Sequence, residues 1–213
     1  MKAIVIGSTG MVGKQLIQLL VNDNKYSEIV SFVRRPSGFS HPKLIENVID
    51  FDQPETWENL VTGDVLFSTL GTTIAVAKTK AAQYKVDFSY QYNFAEIASK
   101  NNVSNYVLIS SAGANAKSKN FYTKIKGQLD EKVQTLPFQY VSILRPGQLE
   151  GNRIEKRIGE QIGLKVMNGL NRIGILNKLK PINAKSVANA MLNAAQKKVS
   201  GIYTLEEVHA LAN

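Results

Sequence analysis

The chain has 213 residues, a formal net charge of +9 and no cysteine, which excludes disulfides, thiolate metal sites and cysteine nucleophiles. Its 44% hydrophobic and 20% charged content is that of a globular protein able to bury one substantial core. Two isolated histidines, His41 and His209, argue against an imidazole metal site, and no apolar run reaches membrane-spanning length.

In chain order, residues 3–6 are short, apolar and β-branched, predicting a buried strand. Residues 11–21 carry Met11, Val12, Leu16, Leu19 and Leu20 at helical spacing. Strands follow at 29–33 and 48–49, then a helix at 54–61 opened by Pro54. A strand at 64–70 precedes a long helix at 78–100, with Tyr84, Phe88, Tyr92, Ala95 and Ile97 near one side. A strand at 106–109, a helix at 120–134 and a strand at 138–144 complete the regular part. Short apolar runs alternating with helices predict βαβ units and a mostly parallel sheet. After Arg145, Pro146 and Gly147 the pattern weakens. An amphipathic helix returns at 184–197, then a strand at 201–205 and a terminal helical turn at 206–211. One domain over 1–213 is expected, with 151–213 supplying a small cap and closing elements.

The first strand runs into Gly7-Ser8-Thr9-Gly10-Met11-Val12-Gly13 and then a helix. Glycines in a strand–loop–helix turn let backbone approach a pyrophosphate, and the helix N-terminus offers free N–H groups with partial positive charge. The loop residues Gly7, Ser8, Thr9, Gly10, Met11 and Val12 are thus candidate dinucleotide contacts. Where an NAD-selective site places a carboxylate at the end of strand two, this chain has Arg34 and Arg35, with Arg34 21 residues beyond Gly13. Two guanidiniums suit a ribose 2′-phosphate, so the expected cofactor is NADP(H) in preference to NAD(H). The strand before the long helix ends in Ser68-Thr69-Leu70-Gly71-Thr72-Thr73, small residues where open α/β sheets bind ligands.

Tyr122-x-x-x-Lys126 carries little weight alone in a chain with eight tyrosines. Its place does: it opens the helix after the strand ending in Ser110-Ser111. Residues i and i+4 share a helix face, so phenol and ammonium can meet. A free phenol, with pKa about 10, is a poor base at neutral pH, and a neighbouring cation favours its ionised form. Tyr122 can then exchange a proton with a substrate oxygen, a serine can hydrogen-bond that oxygen, and Lys126 can hold the nicotinamide ribose. Strand alternation lets only one of Ser110 and Ser111 face the site.

The ordered set of Gly-x-x-Gly-x-x-Gly, Leu70-Gly71-Thr72-Thr73, Leu108 to Ala114, Phe121-Tyr122-x-x-x-Lys126-Gly127 and Leu144-Arg145-Pro146-Gly147 resembles the atypical short-chain dehydrogenase/reductase (SDR) superfamily. Within it, the similarity is to the Tat-interacting-protein-like, NAD(P)H-binding members. The resemblance implies a Rossmann fold with a small C-terminal cap. It selects Ser111, eleven residues before Tyr122, as the catalytic serine, with Ser110 as fallback and as a cofactor neighbour. It further implies Asp50 and Phe51 at the adenine, Leu70, Gly71 and Thr72 along the cofactor, and Pro146 and Gly147 beside the nicotinamide. The resemblance supplies no substrate.

The expected activity is NADP(H)-dependent hydride transfer to or from a small carbonyl or alcohol. The alternatives are a non-catalytic NADP(H)-sensing regulator and a sugar-nucleotide epimerase or dehydratase. The expected partner is a small-molecule substrate; residues 151–200 hold ten Lys/Arg and two acids, which reads either as a solvated surface or, in the sharper version, as a site where Arg153, Lys156 and Arg157 hold an anionic substrate. No nucleic-acid motif or membrane segment is expected, and the chain is expected to be a monomer or dimer. The N-terminus lacks a signal-peptide pattern, which predicts a cytoplasmic protein.

Overall fold

A computed structural model describes residues 1–150 and 181–212. The predicted alternation is realised as β1 (Lys2–Ile6), α1 (Met11–Asn22), β2 (Glu28–Val33), β3 (Leu44–Val48), β4 (Val65–Ser68), α2 (Ile74–Ala77), α3 (Lys80–Tyr84), α4 (Gln91–Lys100), β5 (Asn105–Ile109), α5 (Phe121–Val133) and β6 (Tyr140–Leu144). A short pair, β7 (Leu149–Glu150) and β8 (Ile182–Asn183), precedes α6 (Ala184–Lys197), β9 (Gly201–Tyr203) and α7 (Leu205–Ala212).

Seven strands form one parallel sheet in the order β3-β2-β1-β4-β5-β6-β9. Helices cover both faces, so the inner strands are buried on both sides and read as continuous apolar runs. On one face Val5, Phe67 and Val107 pack with α1, α6 and α7 through Leu16, Leu20, Met191 and Val208. On the other, Ile4, Leu66 and Leu108 pack with α4 and α5 through Phe94, Ala98, Leu129 and Val133. This is the doubly wound Rossmann-like architecture expected from the sequence. The register aligns the C-terminal strand ends: Ile6 pairs with Phe32 and Ser68, Ser68 with Leu108, and Ile109 with Leu144. The glycine loop, Arg34, Leu70 and Ser110 therefore leave the sheet at one edge.

Three predicted elements differ from expectation, and α2, β7 and β8 were not predicted. β3 lies four residues earlier than its predicted start, because it is an edge strand with Glu46 and Asn47 in it and half-exposed, without a continuous apolar run. The predicted helix at 54–61 is two 3₁₀ turns, Pro54–Thr56 and Glu58–Leu60. Trp57 breaks them apart: its indole N–H donates to Asp50 O at 2.8 Å and its ring stacks on Phe94 at 5.1 Å. The long helix is present, but Lys85–Tyr90 forms a π-helical segment between α3 and α4. There the Asp87 carbonyl accepts a hydrogen bond from the Gln91 amide side chain at 2.9 Å. The basic residues Arg153, Lys156 and Arg157, with residues 151–180 of the expected cap and closing elements, lie outside the described residues.

Candidate functional site

The site grows from the loop after β1. Gly7 has φ +80, and a Cβ there would collide with the Leu70 amide. A Cβ on Gly13 would collide with Gly7 O and stand 2.7 Å from Ser8 Cα and 2.8 Å from Thr69 Oγ1. These two glycines answer internal packing: they let loop, α1 and the Thr69–Leu70 segment approach backbone to backbone. Gly10 is different. Its Cβ would meet only Gly7 O, at 3.2 Å, and Gly10 is exposed. It is also the N-cap of α1, where no side chain caps the helix and no acid occupies the first turn. The first N–H groups of a helix have no intrahelical partner, so this end offers open donors to an anion. The residues present thus fit a dinucleotide pyrophosphate. The Ser8 hydroxyl shares a hydrogen bond with Ser31 at 2.6 Å within the protein.

Arg34 and Arg35 are exposed just past β2, and neither joins an ion pair among the described residues. Asp50 and Phe51 are less available than the sequence suggested. The Asp50 carboxylate accepts from Asp52 N at 2.9 Å and Gln53 Nε2 at 3.0 Å, closing its own turn. Phe51 is buried among Trp57, Tyr90 and Phe94, so its side chain is a core residue. Leu70, Gly71 and Thr72 form the loop after β4, at the same sheet edge as Gly7.

Across the sheet, Ser110 is buried and its hydroxyl makes no hydrogen bond among the described residues, whereas Ser111 is half-exposed and donates to Ala112 O at 3.3 Å. The Pro146 carbonyl accepts from Ala112 N at 2.9 Å, tying the segment with Gly147 to the serine loop. Gly127 brings that loop onto α5: a Cβ there would collide with Ala116 N and lie 2.5 Å from Asn115 Cα. α5 begins at Asn120, whose side chain caps Thr123 N.

Tyr122, Lys126 and Asp130 follow one another at i, i+4 and i+8 down α5. Tyr122 is half-buried; Lys126 and Asp130 are buried. Lys126 Nζ lies 3.3 Å from Asp87 Oδ1. Burial opposes its charge, but Asp87, Tyr122 and Asp130 together prevail and hold its pKa above the ordinary lysine value. Asp130 is held by Arg145, whose Nε and Nη2 both lie 2.8 Å from Oδ2. Burial nevertheless pushes the Asp130 carboxyl up, against the pull of Arg145 and Lys126. Asp87, Asp130 and Gly127 were not singled out from the sequence. Asp130 had a signal, the third step of the Tyr122–Lys126 stripe; Asp87 had none, since it sits 39 positions from Lys126 on another helix.

An open glycine loop on a helix N-terminus, at the carboxyl edge of a doubly wound parallel sheet, is the arrangement of a dinucleotide-binding fold. Residues 7–198 match the NAD(P)H-binding family, and the chain belongs to that family. Among curated proteins it is similar to the mitochondrial protein FMP52 of Candida albicans, 31% identical over 207 residues, covering 94% of this chain and 90% of that one. It is also similar to mitochondrial FMP52-1 of Scheffersomyces stipitis, 32% identical and covering 92% and 89%. These relatives overturn the expected cytoplasmic location: both are named as mitochondrial, and lack of a secretory pattern says nothing about that compartment. Among solved structures, MoeE5 in complex with UDP-glucose and NAD superposes with TM-score 0.71 at 14% identity, covering 100% of this chain and 81% of that chain. The Helicobacter pylori ADP-L-glycero-D-manno-heptose-6-epimerase gives TM-score 0.71 at 18% identity, covering 96% and 76%. At such identities the likeness establishes the fold.

Proposed function

We propose that the protein is an NADP(H)-dependent oxidoreductase acting on a small carbonyl or alcohol, with Tyr122 as acid/base. The observation that carries this reading is the Tyr122–Lys126 pair at the start of α5, with Lys126 buried as an ammonium in an ion pair. A buried lysine is costly unless its charge is used or matched.

NADP(H), when bound, supplies or accepts the hydride. Tyr122 Oη gives its proton to the substrate carbonyl oxygen in reduction and takes it back in oxidation. Lys126 stabilises the ionised phenol by its charge and reaches the nicotinamide ribose. Ser111 donates a hydrogen bond to the same substrate oxygen, with Ser110 as the alternative. Pro146 and Gly147 border the nicotinamide. Gly10, Met11 and Val12 would present backbone donors to the pyrophosphate, and the exposed guanidiniums of Arg34 and Arg35 support selection of the 2′-phosphate.

The test is a screen of NADPH oxidation against a panel of aldehydes, ketones and oxo acids, beside calorimetry of NADPH and NADH. Turnover on a panel member, abolished in Tyr122→Phe, is the expected result. Tight NADPH binding with turnover that survives Tyr122→Phe would overturn it.

A further inference from the structure

Asp87 belongs to no motif, yet it is fully buried at the centre of the site. Its Oδ1 accepts the Thr72 amide at 3.2 Å and lies 3.3 Å from Lys126 Nζ. Its Oδ2 has no partner among the described residues. Leaving a buried carboxylate oxygen unsatisfied is costly, and packing alone would be served by an amide or an apolar side chain. Two features of the chain bring it there. The π-helical segment Lys85–Tyr90 carries Asp87, and such segments recur at functional sites. Gly71 keeps the space above it free: a Cβ would stand 3.3 Å from Asp87 Oδ1 and 3.8 Å from Lys126 Nζ.

We infer that Asp87 is a positioning residue for the Tyr122–Lys126 pair: its carboxylate anchors the Lys126 ammonium and supplies the buried counter-charge that the ammonium needs. The inference rests on the reading of Tyr122 as acid/base. The charged and titratable groups facing Lys126 are Tyr122 and Asp130 on α5 and Asp87 on the π-helical segment. Asp130 is already bound by Arg145 at 2.8 Å, so Asp87 makes the one direct ion pair to Lys126 among the described residues. Burial acts to strip the proton from Lys126, and Asp87 is the foremost group opposing it. Without the carboxylate, the lysine becomes neutral more readily. The Tyr122 phenol then loses its cationic neighbour and ionises less readily.

The experiment is an ultraviolet tyrosinate titration of the whole chain, with neither cofactor nor substrate. Subtracting the Tyr122→Phe curve from that of the parent isolates Tyr122, and the same subtraction is made in the Asp87→Asn background. The expected result is a rise of about one unit or more in the Tyr122 midpoint in Asp87→Asn. In a Lys126→Arg background the charge is permanent, so Asp87→Asn must instead lower that midpoint; a merely structural role predicts no such reversal. A midpoint unmoved by Asp87→Asn, or moved the same way in both backgrounds, overturns the inference. If Asp87→Asn does not fold, Asp87→Ser takes its place, because it likewise removes the counter-charge beside the ammonium; an unmoved midpoint there overturns it equally. The two readings fail separately. An unmoved midpoint with Tyr122→Phe inactive removes Asp87 alone, while an active Tyr122→Phe removes the acid/base reading and leaves the titration result intact.

Discussion

Replacing Gly13 and Gly10 by alanine separates the two jobs of the glycine loop. At Gly13 the added Cβ would stand 2.7 Å from Ser8 Cα and 2.8 Å from Thr69 Oγ1, and would collide with Gly7 O. Comfortable carbon contacts are about 3.5–4.0 Å, so α1 must retreat by roughly 1 Å from the loop that it supports. Overpacking of this kind costs about 1–3 kcal/mol, which for a chain of this size lowers Tm by about 2–12 °C. At Gly10 the Cβ meets only Gly7 O at 3.2 Å, and the backbone at φ −74, ψ 173 suits alanine. Poorer capping is offset by a less flexible unfolded chain, so stability changes by less than about 1 kcal/mol. The methyl group instead stands where the pyrophosphate approaches, and NADPH affinity should fall about tenfold or more, about 1.4 kcal/mol. Differential scanning fluorimetry and calorimetry with NADPH check both halves. A Gly13→Ala protein melting within about 1 °C of the parent, or a Gly10→Ala protein binding NADPH at parental affinity, would refute the division of roles.

Three further outcomes are expected. Arg34→Ala should weaken NADPH by about 1–3 kcal/mol, the scale of a lost charge-assisted contact, and leave NADH nearly unchanged; equal losses by calorimetry would remove Arg34 from 2′-phosphate recognition. Tyr122→Phe should keep NADPH affinity and lose turnover about 10²-fold or more, which stopped-flow and steady-state assays on a substrate from the panel would measure. Arg145→Met should destabilise the fold by about 3–5 kcal/mol at neutral pH, because it removes the one cation directly paired with the fully buried Asp130 among the described residues. Burial already raises the Asp130 carboxyl above its ordinary value, and losing Arg145 raises it further. The folded chain then binds this proton more tightly than the unfolded one, so stability is greatest below the ordinary carboxylate range and falls as pH rises through the folded pKa. Urea melts of Arg145→Met should therefore show a larger deficit at pH 8 than at pH 5; a deficit independent of pH would mean that Asp130 is not the group left exposed to the loss.

The sequence by itself determined whatever is local. Continuous apolar runs marked β1, β2, β4, β5 and β6 because a strand buried on both faces needs no alternation. The glycine loop was legible because strand, turn and helix follow without a gap, and Tyr122 and Lys126 because helical geometry fixes which residues share a face. Edge strand β3 was misplaced and 54–61 was read as one helix for the same reason: partners distant in sequence, β2 in one case and Phe94 in the other, decide those segments. Only the tertiary structure set the strand order that gathers Gly7, Arg34, Leu70 and Ser110 at one edge. It also moved Phe51 into the core and distinguished the packing glycines from Gly10. Above all it supplied the counter-charges. Lys126 meets Asp87 across 39 positions and Asp130 meets Arg145 across 15, pairings that follow from how helices pack on the sheet. No spacing rule encodes them, since electrostatic partners are chosen by distance in space and by exclusion of water.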